Sequence, residues 1–258
     1  MNVALMCIAK DEDNYIDEWI EYHRKLGISK IIIYQNQWRY HGKYLHSDFV
    51  ELVEFDMTHP QPWCYDDFID KYYNQFDWAG FIDVDEYVVL KHYNNISDFL
   101  ENYNEFDSLG LHWNMFGSGG QEFHGDYSLV RRFTRCRWIL DSHVKSFIHL
   151  SKVKNTLKFV FWAHNVDSPN HTITVDKARF INGDRDDGDT STHRDIAYIN
   201  HYYIKTPHEW MWKMKRGEPT DCQDWFPPNH EQVLYNIFNS PQYNEYEDWT
   251  AYNFMFNS

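Results

Sequence analysis

The chain is poor in the residues that break or staple a fold. Only 11 glycines and 8 prolines occur in 258 residues, which excludes collagen-like, low-complexity and largely disordered chains. The cysteines, Cys7, Cys64, Cys136 and Cys222, are scattered with no CxxC pair. That argues against a disulfide framework or a cysteine zinc site and for free thiols in a reducing cytoplasm. No apolar run approaches the roughly 18 residues of a membrane span. The opening residues MNVALMCIAKDED lack the basic flank and small-residue cleavage site of a secretory signal, so a cytoplasmic protein is expected. Basic residues are scarce as well: 24 Lys and Arg face 39 Asp and Glu, a formal net charge of −15. Such a chain is a poor partner for a phosphate polymer, which excludes nucleic acid as the main ligand. A small anion still fits where a local basic cluster or a bound metal reverses the field.

What the chain has in quantity is aromatic surface: 19% Phe, Trp and Tyr, including 11 Trp and 19 Tyr. Such rings are first of all core filler, and they also pack on the apolar faces of sugars. Along the first third, Val3–Ala9 is a continuous apolar run that reads as a buried strand. Ile16, Trp19, Ile20, His23 and Leu26 then recur at helical spacing before Gly27. Residues 28–34, 49–55 and 78–82 read as further strands, with a helix over 66–73. This alternation predicts βαβ units and a largely parallel sheet. Beyond about residue 105 the pattern turns to Ser108–Met115, a flexible glycine segment over 116–120, and short strand-like pieces at 130–133, 143–149 and 158–162. Residues 182–192 read as an exposed polar loop, 196–204 as an apolar-aromatic stretch, and Pro207–Arg216 as a helix capped by Thr206 and closed by Gly217. Neither repeat nor linker divides the chain. The division expected is one domain over 1–220 and an aromatic-rich C-terminal extension over 221–258 packed on or beside it.

The segment with most chemistry is Phe81-Ile82-Asp83-Val84-Asp85-Glu86. An apolar strand ending in Asp-x-Asp puts two carboxylates at the C-terminal edge of a sheet, where open α/β sheets bind ligands. Adjacent hard oxygen donors suit Mn²⁺ or Mg²⁺, which share their coordination between carboxylates, phosphate oxygens and water. Lys145, Lys205, Lys213 and Arg216 are basic groups in an acidic chain and are candidates for a diphosphate. The scattered histidines, among them His92, His112, His124, His143, His149 and His164, show no metal-ligand spacing. No GxSxG elbow, Walker A loop or dinucleotide fingerprint is present.

Several blocks occur in a fixed order. They are Ala9-Lys10-Asp11-Glu12, Glu18-Trp19-Ile20-Glu21-Tyr22-His23, Leu26-Gly27-Ile28, Ile31-Ile32-Ile33-Tyr34-Gln35-Asn36 and Asp83-Val84-Asp85-Glu86. Trp113-Asn114-Met115-Phe116-Gly117-Ser118-Gly119-Gly120, His143 to Ile148, and Asn200 to Thr206 leading to Lys213 and Arg216 follow. In this order the chain resembles GT-A fold glycosyltransferases of family 92 and the related family-2-like group, departing from their pattern at Gly119 and Gln121. The resemblance implies an α/β fold of GT-A type, a single domain whose mixed, mostly parallel central sheet is flanked by helices. It implies transfer of a sugar from a nucleotide donor, commonly UDP-linked, to a saccharide or glycolipid acceptor, in bacterial surface polysaccharide or lipopolysaccharide assembly. On that reading Asp83 and Asp85 would hold Mn²⁺ or Mg²⁺, with His201 as third protein ligand. Lys10, Glu12, Asn36, Asp83, Lys145, Lys205 and Arg216 would contact the donor, and Trp113 would offer an acceptor platform. An inverting hexosyl transfer needs a base for the acceptor hydroxyl; Glu122 and Asp126 are the candidates, ahead of Asp141. The exposed aromatics of the tail suggest peripheral contact with the inner membrane face. The rival readings are a carbohydrate-binding protein on the same fold and a metal-dependent phosphoesterase.

Overall fold

Helices can cover a sheet on both faces only if its strands are apolar on both faces. Val3–Ala9 (β1), Lys30–Gln35 (β2) and Trp78–Phe81 (β4) meet that condition, being buried almost without interruption. The structure is a computed structural model and describes residues 1–122, 126–153, 158–160, 165–167, 172–181, 184–185, 194–216, 236, 238 and 240–257. Between β1 and β2 lies α1 (Ile16–Lys25), which buries Ile16, Trp19, Ile20, Tyr22 and His23. Its acidic first turn (Asp17, Glu18) and basic last turn (His23, Arg24, Lys25) both suit the helix dipole. Val50–Glu54 (β3) and Gln61–Tyr72 (α2) precede β4, and Glu86–Leu90 (β5) follows it after a tight turn. Then come Ile96–Leu100 (α3), Ser108–Met115 (β6), Leu129–Arg132 (α4), Arg135–Cys136 (β7), Val144–His149 (β8) and Leu150–Val153 (α5). Short strands Lys158–Val160 (β9), Asn165–Asp167 (β10), Thr172–Ile173 (β11), Arg179–Ile181 (β12) and Asp184–Arg185 (β13) lead to Ala197–His201 (β14) and Pro207–Arg216 (α6). Tyr246–Glu247 (β15) and a helix over Thr250–Phe256 close the described part.

The main sheet runs β13-β12-β11-β6-β8-β4-β1-β2-β3. Its β4-β1-β2-β3 half is parallel throughout. β8 is antiparallel to both neighbours, while β14 lies parallel to β6 and antiparallel to β5. This is the mixed α/β sheet with flanking helices that the sequence led one to expect. One core face gathers Trp19, Tyr22, Trp78, Tyr87, Tyr198 and Tyr202; the other gathers Tyr34, Tyr65, Phe68 and Phe81. Much of the aromatic content is therefore core.

Local readings are revised in places. Residues 130–133, expected as strand, lie largely in α4, because Leu129 and Val130 point into the core from a single helical turn. The helix expected at 66–73 begins earlier, at Gln61. Of the loop at 182–192 only the pairing residues Asp184–Arg185 are described. His124, His164, Gly217 and Cys222 lie outside the described residues.

The described C-terminal segment is knitted into the body. β15 pairs with β7, and buried Asp248 accepts hydrogen bonds from Tyr198 (2.7 Å) and Asn114 (3.1 Å) while pairing with Arg194 at 3.3 Å. The glycine segment 116–120 is held by it: Gly119 N–H donates to Asn244 at 2.8 Å. A Cβ on Gly117 would stand 2.5 Å from the Tyr243 carbonyl, so only glycine allows the two backbones to lie together. Among the described residues no helix is long and apolar enough to cross a membrane.

Candidate active site

The carboxyl edge of the parallel strands opens into a cleft of about 300 Å³, lined by Lys10 and Glu12 after β1, Asn36 and Gln37 after β2, Asp83 and Asp85 after β4, and Lys213 and Arg216 from α6. Parallel strands make this edge a natural binding crevice, because their connecting loops all emerge there. Four non-glycine residues around it, Asp11, Gln37, His59 and Lys205, adopt φ between 51° and 54°. Left-handed backbone at such residues is costly and tends to gather at functional sites, where the surrounding structure enforces it.

Asp83 and Asp85 stand on the turn between β4 and β5, closed by the Glu86 N–H donating to the Asp83 carbonyl at 3.0 Å. Each carboxylate is met by lysine. Lys145 Nζ, buried on β8, donates to Asp83 Oδ2 at 2.8 Å. Lys205 and Lys213 converge on Asp85 Oδ2 at 2.8 and 3.0 Å. Burial pushes the Asp85 carboxyl up, but Lys205, Lys213 and His201 outweigh it and hold the group well below its ordinary range. Asp83 is likewise lowered, Lys145 overcoming burial and the repulsion of Asp85. Glu86 beneath them goes the other way: burial lifts it to about 8 against the pull of Lys145. The floor thus sets two carboxylates, both held below their ordinary range, against Lys145, Lys205 and Lys213, with Glu86 buried beneath them. A chain of net charge −15 has built a locally positive patch.

His201 ends β14, where the sheet register sets it directly across from Glu86 on β5. Its Nε2 lies 3.6 Å from Asp85 Oδ1. Burial drives its pKa down to about 3 despite Asp85, so the ring is neutral and has a lone pair to offer. Adjacent ligands of an octahedral cation with bonds of about 2.1 Å lie about 3.0 Å apart, so this pair, at 3.6 Å, would draw together by about 0.6 Å to share one, leaving phosphate oxygens and water to complete the shell. Asp85 and His201 therefore fit the expected Mn²⁺ or Mg²⁺; Asp83 is engaged by Lys145 instead. Among the described residues no three His, Cys, Asp or Glu side chains gather around one point.

The remaining sequence candidates separate clearly. Lys10, Glu12, Asn36 and Arg216 line the cleft. Arg216 reaches across it, pairing with Glu12 and donating to the Lys10 carbonyl at 2.8 Å. Lys145 and Lys205 are buried behind the carboxylates, so they set the acids in place, and of the three lysines on the carboxylates Lys213 is the one that lines the cleft. Glu122 and Asp126 are exposed and do not line it; Asp126 caps the Ser128 N–H at 3.0 Å and faces Arg131 at 3.7 Å. Trp113 lies 4.5 Å from His201, ring centre to ring centre, and stacks on His143 at 5.3 Å. His143 in turn bonds Asp141 at 2.6 Å.

Two elements escaped the sequence reading. Glu86 was visible in the motif but received no role, because its position under the turn depends on β14. Glu209 anchors α6: it meets Arg132 through both oxygens at 2.7 and 2.8 Å, accepts from Tyr15 at 2.6 Å, and closes a capping box with Thr206. The Thr206-x-x-Glu209 spacing could have given the box away.

A mixed α/β sheet with an acidic turn and converging lysines at its carboxyl edge defines a fold and cleft suited to an anionic ligand. The glycosyltransferase family 92 model matches residues 64–232, and this chain belongs to that family. A glycosyltransferase family 92 protein of Ricinus communis is 24% identical over 240 residues, covering 85% of this chain and 39% of its own length. The chain thus spans well under half of that relative. Among solved structures, HddC from Yersinia pseudotuberculosis aligns with TM-score 0.42 and 11% identity, over 84% of this chain and 99% of that one. The 1–349 part of S. aureus TarS aligns with TM-score 0.41 and 12% identity, over 62% of this chain and 50% of that one. The family assignment rests on the sequence match, not on these two likenesses.

Proposed function

We propose that this chain is a metal-dependent glycosyltransferase that moves a hexosyl group from a nucleotide-diphosphate donor, UDP-linked, to a hydroxyl of a saccharide or glycolipid acceptor. Family membership supports the class. The observation that carries the chemistry is the positive floor of the cleft, with Lys213 and Arg216 facing the space beside Asp85. A divalent cation held by Asp85 and His201 would supply Lewis-acid stabilisation of the departing diphosphate.

The chain's own residues account for the rest. Lys205 neutralises Asp85 from behind and holds its Oδ1 edge toward His201. Lys145 does the same for Asp83 from β8. Lys213 and Arg216 bind phosphate oxygens from α6, a point charge and a planar fork respectively. Asn36, which accepts from the Met57 N–H at 3.3 Å, stands at the rim where the nucleoside would lie. Trp113 and His143, beside His201, offer ring faces to the acceptor. The inverting reading asks for an acceptor base, and its sequence candidates Glu122 and Asp126 do not line the cleft; transfer that survives in both amide variants removes both, and loss of transfer with nucleotide binding kept in one would restore it.

The reading is tested by melting the protein with UDP or uridine, each with and without Mn²⁺, because a ligand that binds only the folded state raises the melting temperature. UDP with Mn²⁺ is expected to raise it well above uridine. A Lys213→Met variant should bind UDP about 10-fold more weakly, the loss of one charge-assisted hydrogen bond to phosphate. Equal shifts for UDP and uridine would sink the diphosphate site.

A further inference from the structure

Two buried polar atoms in the site face one another with no hydrogen bond. Glu86 Oε1 and His201 Nδ1 lie 4.0 Å apart, in side chains that are 0% and 6% exposed, and neither atom has a hydrogen-bond partner among the described residues. Buried polar atoms are almost always paired, so a facing pair of orphans calls for a reason. The two residues are register partners across β5 and β14, so the sheet itself sets them face to face. The other Glu86 oxygen is fixed, accepting the Asp83 N–H at 2.7 Å with Lys145 at 3.6 Å. The imidazole is confined too, with Trp113 at 4.5 Å and Tyr203 at 5.3 Å between ring centres. A slide of about 1 Å would bring Nδ1 and Oε1 to ordinary hydrogen-bond distance.

We propose that Glu86 is a positioning residue for the cation site, accepting a hydrogen bond from His201 Nδ1–H so that Nε2 presents its lone pair beside Asp85. This deepens the metal reading above and rests on it. A metal-bound histidine commonly gives its second ring N–H to a carboxylate, which fixes tautomer and orientation and strengthens the ligand. Here one buried glutamate serves two purposes: its Oε2 fixes the Asp83 backbone, and its Oε1 addresses the histidine. Asp85 and His201 are separated by 116 positions in the chain, and Glu86 ties their two strands together at the point where a cation would sit.

The test is Mn²⁺ binding, with Mn²⁺ alone and with Mn²⁺ plus UDP as probes. Free Mn²⁺ is followed by electron paramagnetic resonance, and imidazole coordination by the nitrogen modulation of its spin echo. Wild type should show nitrogen modulation that His201→Ala abolishes. Glu86→Leu should weaken Mn²⁺ toward 100-fold, and volume-matched Glu86→Gln about 10-fold, each with altered or lost modulation. If Glu86→Leu does not fold, the glutamine variant decides. Wild-type affinity and unchanged modulation in the folded Glu86 variants would overturn the proposal while leaving the metal site standing. Failure of the wild-type protein itself to bind Mn²⁺ under either condition would overturn the metal reading and this proposal with it.

Discussion

Asp85→Asn is expected to lower sugar transfer by about 10³-fold, the scale seen when one electrostatic contact to a developing charge is removed. It should also leave Lys205 and Lys213 without their shared counter-charge. Lys205 is nearly buried, and an ion left unpaired in such a place costs about 3 kcal/mol. A pH signature separates the two effects. The folded Asp85 carboxyl is held well below its ordinary value, so its contribution is present above about pH 4, where an unfolded aspartate is ionised, and is lost as pH falls toward the folded value. The asparagine variant should therefore be less stable at neutral pH and should shed part of the acid dependence of unfolding seen in wild type. Turnover of nucleotide sugar at wild-type rate would remove Asp85 from the chemistry.

The second large effect is expected far from the cation. Glu209→Gln keeps the side-chain length and the capping geometry of α6, since glutamine also closes a capping box. It deletes the charge that Arg132 meets through both guanidinium nitrogens, in a pair whose side chains are 6% and 5% exposed. Breaking one side of such a pair costs roughly 3–5 kcal/mol, on the order of 10 °C in melting temperature for a chain of this size. Burial would raise the Glu209 carboxyl, but Arg132, Thr206 and Tyr15 bring it down to about 2. Its contribution is thus complete above about pH 4.5 and disappears as pH falls toward 2, where native and unfolded forms are both protonated. Transfer should fall as well, because Lys213 and Arg216 ride on the helix that Glu209 anchors. A melting temperature within a degree of wild type would show that the pair is neutral to stability.

The legibility of these features followed the range of the interactions involved. β1, α1 and β2 could be read as sustained apolar or periodic runs, and the four-residue β4 because it is apolar throughout and runs straight into the acidic turn; their order implied a parallel half-sheet. The Asp-x-Asp turn could be read because it directly follows such a strand. Lys145 and Lys205 could be singled out as basic residues in an acidic chain, but not as buried supports, since that depends on β8 and on the left-handed backbone at Lys205. α4 and β7 owe their conformation to tertiary contacts, and the apolar residues within 130–133 pointed to a strand instead of the helical turn they form. The Glu86–His201 and Glu209–Arg132 contacts join residues more than 70 positions apart and had no local signal, whereas the Thr206–Glu209 capping box did.

The lysines that satisfy Asp85 lie 120 and 128 residues further along the chain. Synthesis delivers residues at about 5–20 per second, so the acidic turn leaves the ribosome several seconds before its ammonium partners exist. Over that interval the early strands can pair locally, but the carboxylate of Asp85 stands without the ammonium groups that later meet it. On the proposed reading, affinity for a diphosphate is therefore acquired late in biogenesis, once β14 and α6 dock, and a nascent fragment ending before Lys205 lacks both lysines that meet Asp85.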